Sequence, residues 1–174
     1  RLLEWLMFRN RLHQARIALI PRFPGGGRIL MLGDGTGRLL HDVLIADRSA
    51  TIVSLDSSSV MLDQQRFAAE RADAISRVEF IQKDIRRTEI PEGPFDLVIT
   101  AFFWDCFPFE ELLRLMPTVL DPLRPKGLFY FVDFVHPSRG WRRLQSKVSH
   151  RIMHAFFRWQ TDLPNRELVD LESA

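Results

Sequence analysis

The sequence has almost nothing with which to staple a small chain together. It contains 1 Cys, Cys106, and 5 scattered His. A disulfide framework is therefore excluded, and no Cys/His cluster stands at metal-ligand spacing. The lone thiol points to a reducing compartment, the cytoplasm. Long apolar runs are also missing. The most apolar stretch, Leu128 to Val135, is short and interrupted by Asp133, so no membrane-spanning helix is expected. Tyrosine is nearly absent: Tyr130 is followed four residues later by Phe134, so no Tyr-x-x-x-Lys pair exists and an NAD-dependent oxidoreductase becomes a distant third reading. Lysine is scarce, since 21 of the 24 basic residues are Arg, and acid is missing altogether from Phe134 to Thr161. Internal repeats and low-complexity tracts are lacking as well.

What is present fits one ordinary globular domain: 174 residues, 46% apolar and 26% charged, with 9 Gly and 10 Pro. A chain of this length buries roughly 70% of its unfolded surface and holds a core without staples. Its first residues, Arg1-Leu2-Leu3-Glu4-Trp5, read as helix without an initiator Met, so the chain is expected to begin inside an element.

Strand-like runs recur at Arg28 to Leu32, Thr51 to Leu55, Val78 to Gln82, Asp96 to Thr100 and Gly127 to Asp133, with helical patterns between most of them. Ile29-Leu30-Met31-Leu32, Leu97-Val98-Ile99 and Phe129-Tyr130-Phe131-Val132 are apolar without alternation, as parallel strands covered on both faces are. The predicted fold is α/β: a doubly wound, mostly parallel sheet with helices on both faces. Leu39, Leu40, Val43 and Leu44 mark one helix, and Val60, Met61, Phe67 and Ala68 a second. Leu112, Leu113, Met116, Val119 and Leu120 mark a third, which Pro117 is expected to kink or end. Three segments follow: a helical stretch 1–23, a core 24–138 and a basic amphipathic tail 139–174.

The first strand runs directly into Gly33-Asp34-Gly35-Thr36-Gly37-Arg38 and then a helix, so backbone N–H groups at the helix start face whatever the bend encloses. The structural alternative is a tight strand-to-helix turn. A dinucleotide fingerprint would need glycine where Arg38 stands, and no Gly-Lys-Ser/Thr follows. A nucleoside without phosphates remains. Asp56 ends the second strand about 20 residues beyond the glycines, where an acid accepts both ribose hydroxyls. Asp84 ends the third and is placed to take an adenine amino group.

Taken in order, these segments resemble the motifs of class I S-adenosylmethionine-dependent methyltransferases, in the branch that includes quinone C-methyltransferases. Ile29 to Gly37 resembles motif I, Leu55-Asp56-Ser57-Ser58-Ser59-Val60-Met61-Leu62 the D-x-S-x-x-M-L segment, Phe95 to Thr100 motif IV, and Leu123-Arg124-Pro125-Lys126-Gly127-Leu128 the L-x-P-G-G turn. The resemblance spans about residues 28 to 135. It implies a Rossmann-like methyltransferase fold and S-adenosylmethionine as cofactor. Gly33, Asp34, Gly35 and Gly37 would lie around its methionyl part and ribose, Asp56 with Ser57 at the ribose hydroxyls, Met61 near adenine, and Asp84 and Ile85 along the ring. Ala101 at the end of motif IV completes the set. Three departures stand out. Met31 occupies the place where many members carry an acid that holds the methionine moiety, and Asp34 either substitutes or does not. Lys126 replaces the first glycine of the L-x-P-G-G turn. The usual sixth and seventh strands are not evident after Gln160.

Methyl transfer from a sulfonium is an in-line displacement needing no metal, and acceptor positioning and water exclusion supply most of the acceleration. The acceptor is expected beside Ala101 to Phe107 and Asp133 to His136, two aromatic segments with few polar groups, which suit a small apolar or aromatic molecule. Asp105 and His136 are the candidate catalytic residues. Their bland readings are a helix cap and a surface histidine. Asp133 reads as structural, and Cys106 as an inert buried thiol. Thr100-Ala101-Phe102-Phe103 lacks the Asn/Asp-Pro-Pro-aromatic signature of amino-methylating DNA enzymes, so nucleic acid is not favoured as substrate. Trp141 to Trp159, with Arg139, Arg142, Arg143, Lys147, Arg151 and Arg158, forms a basic amphipathic pattern. It either packs on the sheet or makes peripheral contact with an anionic membrane through residues 139–159. A catalytically silent binding module of the same fold is the alternative function. Oligomeric state is not readable.

Overall fold

The computed structural model describes residues 13–18, 20–23 and 25–133. His136, the tail 139–174 with its basic pattern, and the question of further strands lie outside the described residues. In chain order the elements are β1 (Arg28–Leu32), α1 (Arg38–Ala46), β2 (Thr51–Asp56), α2 (Ser59–Arg71), β3 (Val78–Gln82), β4 (Phe95–Ala101), α3 (Phe109–Leu120) and β5 (Leu123–Val132). A helical turn covers residues 13–17, and single 3-10 turns cover Ile20–Arg22, Ile75–Arg77 and Trp104–Cys106.

The strands form one parallel sheet in the order β3-β2-β1-β4-β5, the doubly wound arrangement expected. The strand order reverses between β1 and β4, so the crevice outside their carboxyl ends is the switch point at which open α/β sheets bind ligands. Side-chain alternation divides the core. Ile29 and Met31 face one layer with Leu39, Leu40, Val43 and Leu44 of α1, against which Ile17 and Ile20 of the leading segment also pack. Leu30 and Leu32 face the other, with Trp104, Phe107 and Leu112, Leu115 and Val119 of α3. Burial on both faces is why β1 and β4 read as unbroken apolar runs.

Helix boundaries have local causes. α2 starts at Ser58, whose hydroxyl accepts from Met61 N at 3.4 Å, a side-chain N-cap. α1 starts at Gly37, which has no side chain to offer; Asp34 supplies the cap from three residues earlier, its Oδ2 accepting from Leu40 N at 3.0 Å. The far end of α1 is closed by Arg77, whose guanidinium donates to the carbonyls of Leu44, Asp47 and Ala50 at 2.9–3.0 Å. Such side-chain capping of last-turn carbonyls matches the negative end of the helix dipole.

Two expectations change. Pro117 does not end α3, which continues to Leu120. The carbonyl that proline leaves without its usual helical donor belongs to Leu113, four residues back, an exposed residue. The L-x-P-G-G-like turn does not precede β5 but forms its first half. Pairing with β4 jumps from Phe95↔Leu123 to Leu97↔Leu128, a register shift, and Lys126 stands there at φ 66°, the left-handed region that the replaced glycine would favour. Among the described residues no helix is long and apolar enough to cross a membrane.

Candidate functional site

Gly33, Gly35 and Gly37 all have positive φ, between 60° and 79°, so the chain bends sharply between β1 and α1. Two of them are hemmed in. A Cβ on Gly37 would meet Ala68 Cβ at 2.8 Å and Gln65 Cα at 2.9 Å, and one on Gly33 would meet the Phe103 ring at 2.5 Å. Gly37 thus lets α2 approach the bend, and Gly33 lets an aromatic ring lie across it. Gly35 faces open space, with nothing within 4 Å of a Cβ placed there.

Asp56 joins this bend through a residue that the sequence pattern does not single out. Gln65, fully buried in α2, donates through Nε2 to Gly35 O at 3.1 Å and to Asp56 Oδ2 at 3.2 Å, while its Oε1 accepts from Ser54 Oγ at 2.6 Å. The other carboxylate oxygen of Asp56 accepts from Ser58 N at 3.0 Å. Burial raises the Asp56 pKa against the lowering effect of these donors. The backbone amides of Gly35 and Ser57 also favour its charged form, so both sides of the bend hold this carboxylate. The bend and the acid at the end of β2 therefore share one pocket wall. Ser57 is exposed beside it, and Met61, on the first turn of α2, is buried. The signal that could have found Gln65 is a polar side chain on the buried face of an otherwise amphipathic helix.

Asp34 is 5% exposed. Its Oδ2 caps α1, but its Oδ1 is buried with no hydrogen-bond partner, and burial pushes its pKa up to about 6. An orphaned acceptor inside a glycine bend fits a ligand that brings a donor or a positive charge.

On the third strand, Lys83 N donates to Asp56 O at 3.0 Å, which sets Asp84 just beyond the β2 end. Its carboxylate is turned onto Arg86, with Nη2 to Oδ2 at 2.7 Å and Nε to both oxygens at 2.9 and 3.0 Å. That pairing holds its pKa below the usual carboxylate range, and an adenine amino group would share the oxygens with the guanidinium. Ile85 is buried in the layer with Phe95 and Trp104. Ala101, the last residue of β4, is buried in the opposite layer.

The segment expected to face an acceptor runs from Phe102 to Phe107. Phe102 has φ 55°, and its amide donates to Val132 O at 2.7 Å, so the chain leaves β4 in a strained turn. Phe103, Trp104 and Phe107 pack with ring centroids 5.1–5.9 Å apart. Trp104 is fixed twice, its amide on Asp133 Oδ2 at 3.0 Å and its indole N–H on Thr100 Oγ1 at 3.1 Å; this is a positioning task for Asp133. Asp105 is 7% exposed in this aromatic setting. Burial, reinforced by the negative charge of Asp133, pushes its pKa up to about 7. It does not cap α3, whose N-cap is Pro108 with no side-chain bond. Burial also pushes the Cys106 thiol up, and it donates to Asp105 Oδ1 at 3.7 Å, so it stays protonated at neutral pH.

One more residue, unforeseen in the sequence, enters the crevice. Arg16 lies with its guanidinium 5.1 Å from the centre of the Phe102 ring. Burial lowers its pKa, and it feels the charges of Asp34, Arg38 and Asp105. A separate cavity of about 930 Å³, lined by Arg86, Ile90, Pro94, Arg114 and Arg124 among others, opens toward the start of β4 and, of the expected cofactor residues, includes only Ile85. Among the described residues no group of three or more His, Cys, Asp or Glu could hold a metal ion.

Against this geometry, the family profile described as "Methyltransferase domain" matches residues 29–127. The ubiquinone/menaquinone biosynthesis C-methyltransferase UbiE of Azotobacter vinelandii is 29% identical over 133 residues, covering 75% of this chain and 50% of that protein. The crystal structure of YjhP from E. coli aligns with a TM-score of 0.54 at 26% identity, over 67% of this chain and 46% of that one. A methyltransferase from Geobacter sulfurreducens, solved with S-adenosyl-L-homocysteine, shares the fold with a TM-score of 0.53 at 22% identity, over 67% and 46% of the two chains. The chain spans about half the length of the curated relatives it matches.

Proposed function

The chain belongs to the methyltransferase-domain family, and from that premise we propose that it binds S-adenosylmethionine and passes its methyl group to a small apolar or aromatic acceptor. The observation that carries this reading is the Gln65 amide, which ties Gly35 O to Asp56 Oδ2 and so makes one wall of the glycine bend and the ribose-binding acid. When bound, the cofactor supplies an electrophilic methyl group on sulfur. Gly35, with open space at its Cα, admits the ligand to the backbone. The carboxylate of Asp56 accepts the ribose hydroxyls. Met61, Asp84 and Ile85 line the adenine side, and Ala101 closes the floor.

At the other end of the crevice, the half-buried Phe103 ring presents a face to a flat acceptor, backed by Trp104 and Phe107 in the core layer beneath it. Asp105, with its pKa near neutrality, takes the proton that the acceptor oxygen, nitrogen or carbon gives up as its bond to the methyl carbon forms. A quinol or phenol is the acceptor class that fits an aromatic face, in keeping with the ubiquinone/menaquinone biosynthesis named for the UbiE relatives.

A silent binding module is the second reading, favoured by the Phe103 ring lying across Gly33. Titration calorimetry followed by transfer of a labelled methyl group to a panel of phenols and quinols separates the two. Binding with turnover supports the enzyme, and binding without turnover on any acceptor supports the module. Asp56→Ala should weaken nucleoside binding at least tenfold; unchanged affinity would refute the pocket.

A further inference from the structure

The end of β5 is tied to the chain leaving β4 at two successive positions. Val132 O accepts from Phe102 N at 2.7 Å, and Asp133 Oδ2 accepts from Trp104 N at 3.0 Å. The indole of Trp104 is locked separately, on Thr100 Oγ1. The turn Trp104–Cys106 then closes with Phe107 N on Trp104 O at 3.0 Å. Asp105, its middle residue, is thereby held in the aromatic layer and kept from water, at 7% exposure.

The bond to the Trp104 amide requires only an acceptor oxygen, which asparagine or serine supplies without charge. A carboxylate there adds a like charge beside a buried carboxyl, which costs stability and makes that carboxyl hold its proton more tightly. Burial first and Asp133 second push Asp105 upward. Two side chains oppose them: Cys106, whose thiol donates to Asp105 Oδ1, and Arg16 on the leading segment. The backbone of Arg16 is held by the Tyr130 hydroxyl on β5, which donates to Ala15 O at 3.2 Å and Arg16 O at 2.9 Å. Around these stand Asp34 and Arg38, which act on Arg16, Asp56, which acts on Cys106, and Glu110 and Glu111 on the first turn of α3. A like charge kept beside a buried carboxyl at a strand end is an arrangement that functional sites use and that packing alone does not need.

Resting on the reading of Asp105 as the proton acceptor, we infer that Asp133 is a positioning residue for that base: through the Trp104 amide it holds the turn that carries Asp105, and its charge sets how strongly Asp105 takes the acceptor's proton. An uncharged acceptor at position 133 would keep the turn in place and leave a weaker base.

Asp133→Asn separates bond from charge, because its amide oxygen still accepts from Trp104 N. Carbon-13 NMR of the chain labelled at its aspartate carboxyls, with the Asp105 resonance assigned by its loss in Asp105→Asn, reads the titration without any acceptor. The Asp105 midpoint, about 7 in the unaltered chain, should fall by roughly one pH unit in Asp133→Asn. In Asp133→Glu, which keeps the charge, it should stay within about half a pH unit. Asp133→Ser takes the place of Asp133→Asn if circular dichroism shows the latter unfolded. With a phenol or quinol that the unaltered chain methylates, the acid limb of the pH–rate profile should move down with the midpoint. There kcat should fall about threefold, as it does for a weaker general base, while cofactor affinity stays within about twofold. A midpoint unmoved in folded Asp133→Asn, or lowered as much by Asp133→Glu, overturns the inference and leaves Asp105 standing as the base. An Asp105 midpoint in the ordinary carboxylate range in the unaltered chain overturns both.

Discussion

Asp105 makes stability run against the usual direction in pH, and the size of the effect follows from its burial. Its carboxyl is raised from 3.8 to about 7 by desolvation and by Asp133, so the folded state holds a proton that the unfolded chain releases. Where folded pKa exceeds unfolded pKa for an acid, stability falls as pH rises between the two values and is flat above the higher one. Each pKa unit is about 1.4 kcal/mol, so at pH 8 the ionised Asp105 destabilises the fold by about 4 kcal/mol, and at pH 4.5 by only about 1. Asp105→Asn removes that dependence and keeps the shape. Urea unfolding of the two proteins at both pH values therefore isolates one carboxyl, because every other titrating group cancels in the difference. The variant should gain about 3 kcal/mol relative to the parent between pH 4.5 and pH 8. A stability difference that stays constant within about 1 kcal/mol across that range would refute the assignment of a buried, neutral Asp105. The same variant should lose methyl transfer without losing affinity for the cofactor.

Gly37→Ala places a methyl 2.8 Å from Ala68 Cβ and 2.9 Å from the Gln65 backbone, at φ 79°. It should destabilise the protein by about 2–4 kcal/mol, read as a fall in Tm, whereas Gly35→Ala, with no neighbour to meet, should lose only the strain of its positive φ. Arg77→Lys keeps the charge but cannot reach the carbonyls of Leu44, Asp47 and Ala50 together. It should lower the urea midpoint by roughly 1–2 kcal/mol of stability and leave ligand binding unchanged.

The sheet is legible in the sequence because its central strands are buried on both faces, and a short unbroken apolar run such as Ile29 to Leu32, closed by glycine, suits little besides a covered parallel strand. The glycine bend and Asp56 are legible because function there depends on backbone geometry, which restricts residue type in a short window. What stays hidden depends on contacts between distant segments. Gln65 reads as an ordinary helix residue until α2 is laid against the bend. Arg16 has no local signature, and its place is fixed by a hydroxyl 114 positions away in the chain. Pro117 reads as a breaker because sequence does not show that it falls opposite an exposed residue, Leu113, in a helix that runs on to Leu120. Asp84 reads as an acid open to a ligand, although Arg86, two residues on in the same short loop, already pairs with it.

Tyr130 is the chain's single tyrosine, and it sits where β5 meets the leading segment, edge-to-face with Phe23 at 5.2 Å. Every phenolic signal from this protein, whether ultraviolet difference absorbance, ring NMR resonance or nitration rate, thus originates at one seam. Undocking of residues 15 and 16 registers in that signal without any label, so the molecule carries its own spectroscopic gauge of whether the arginine is seated.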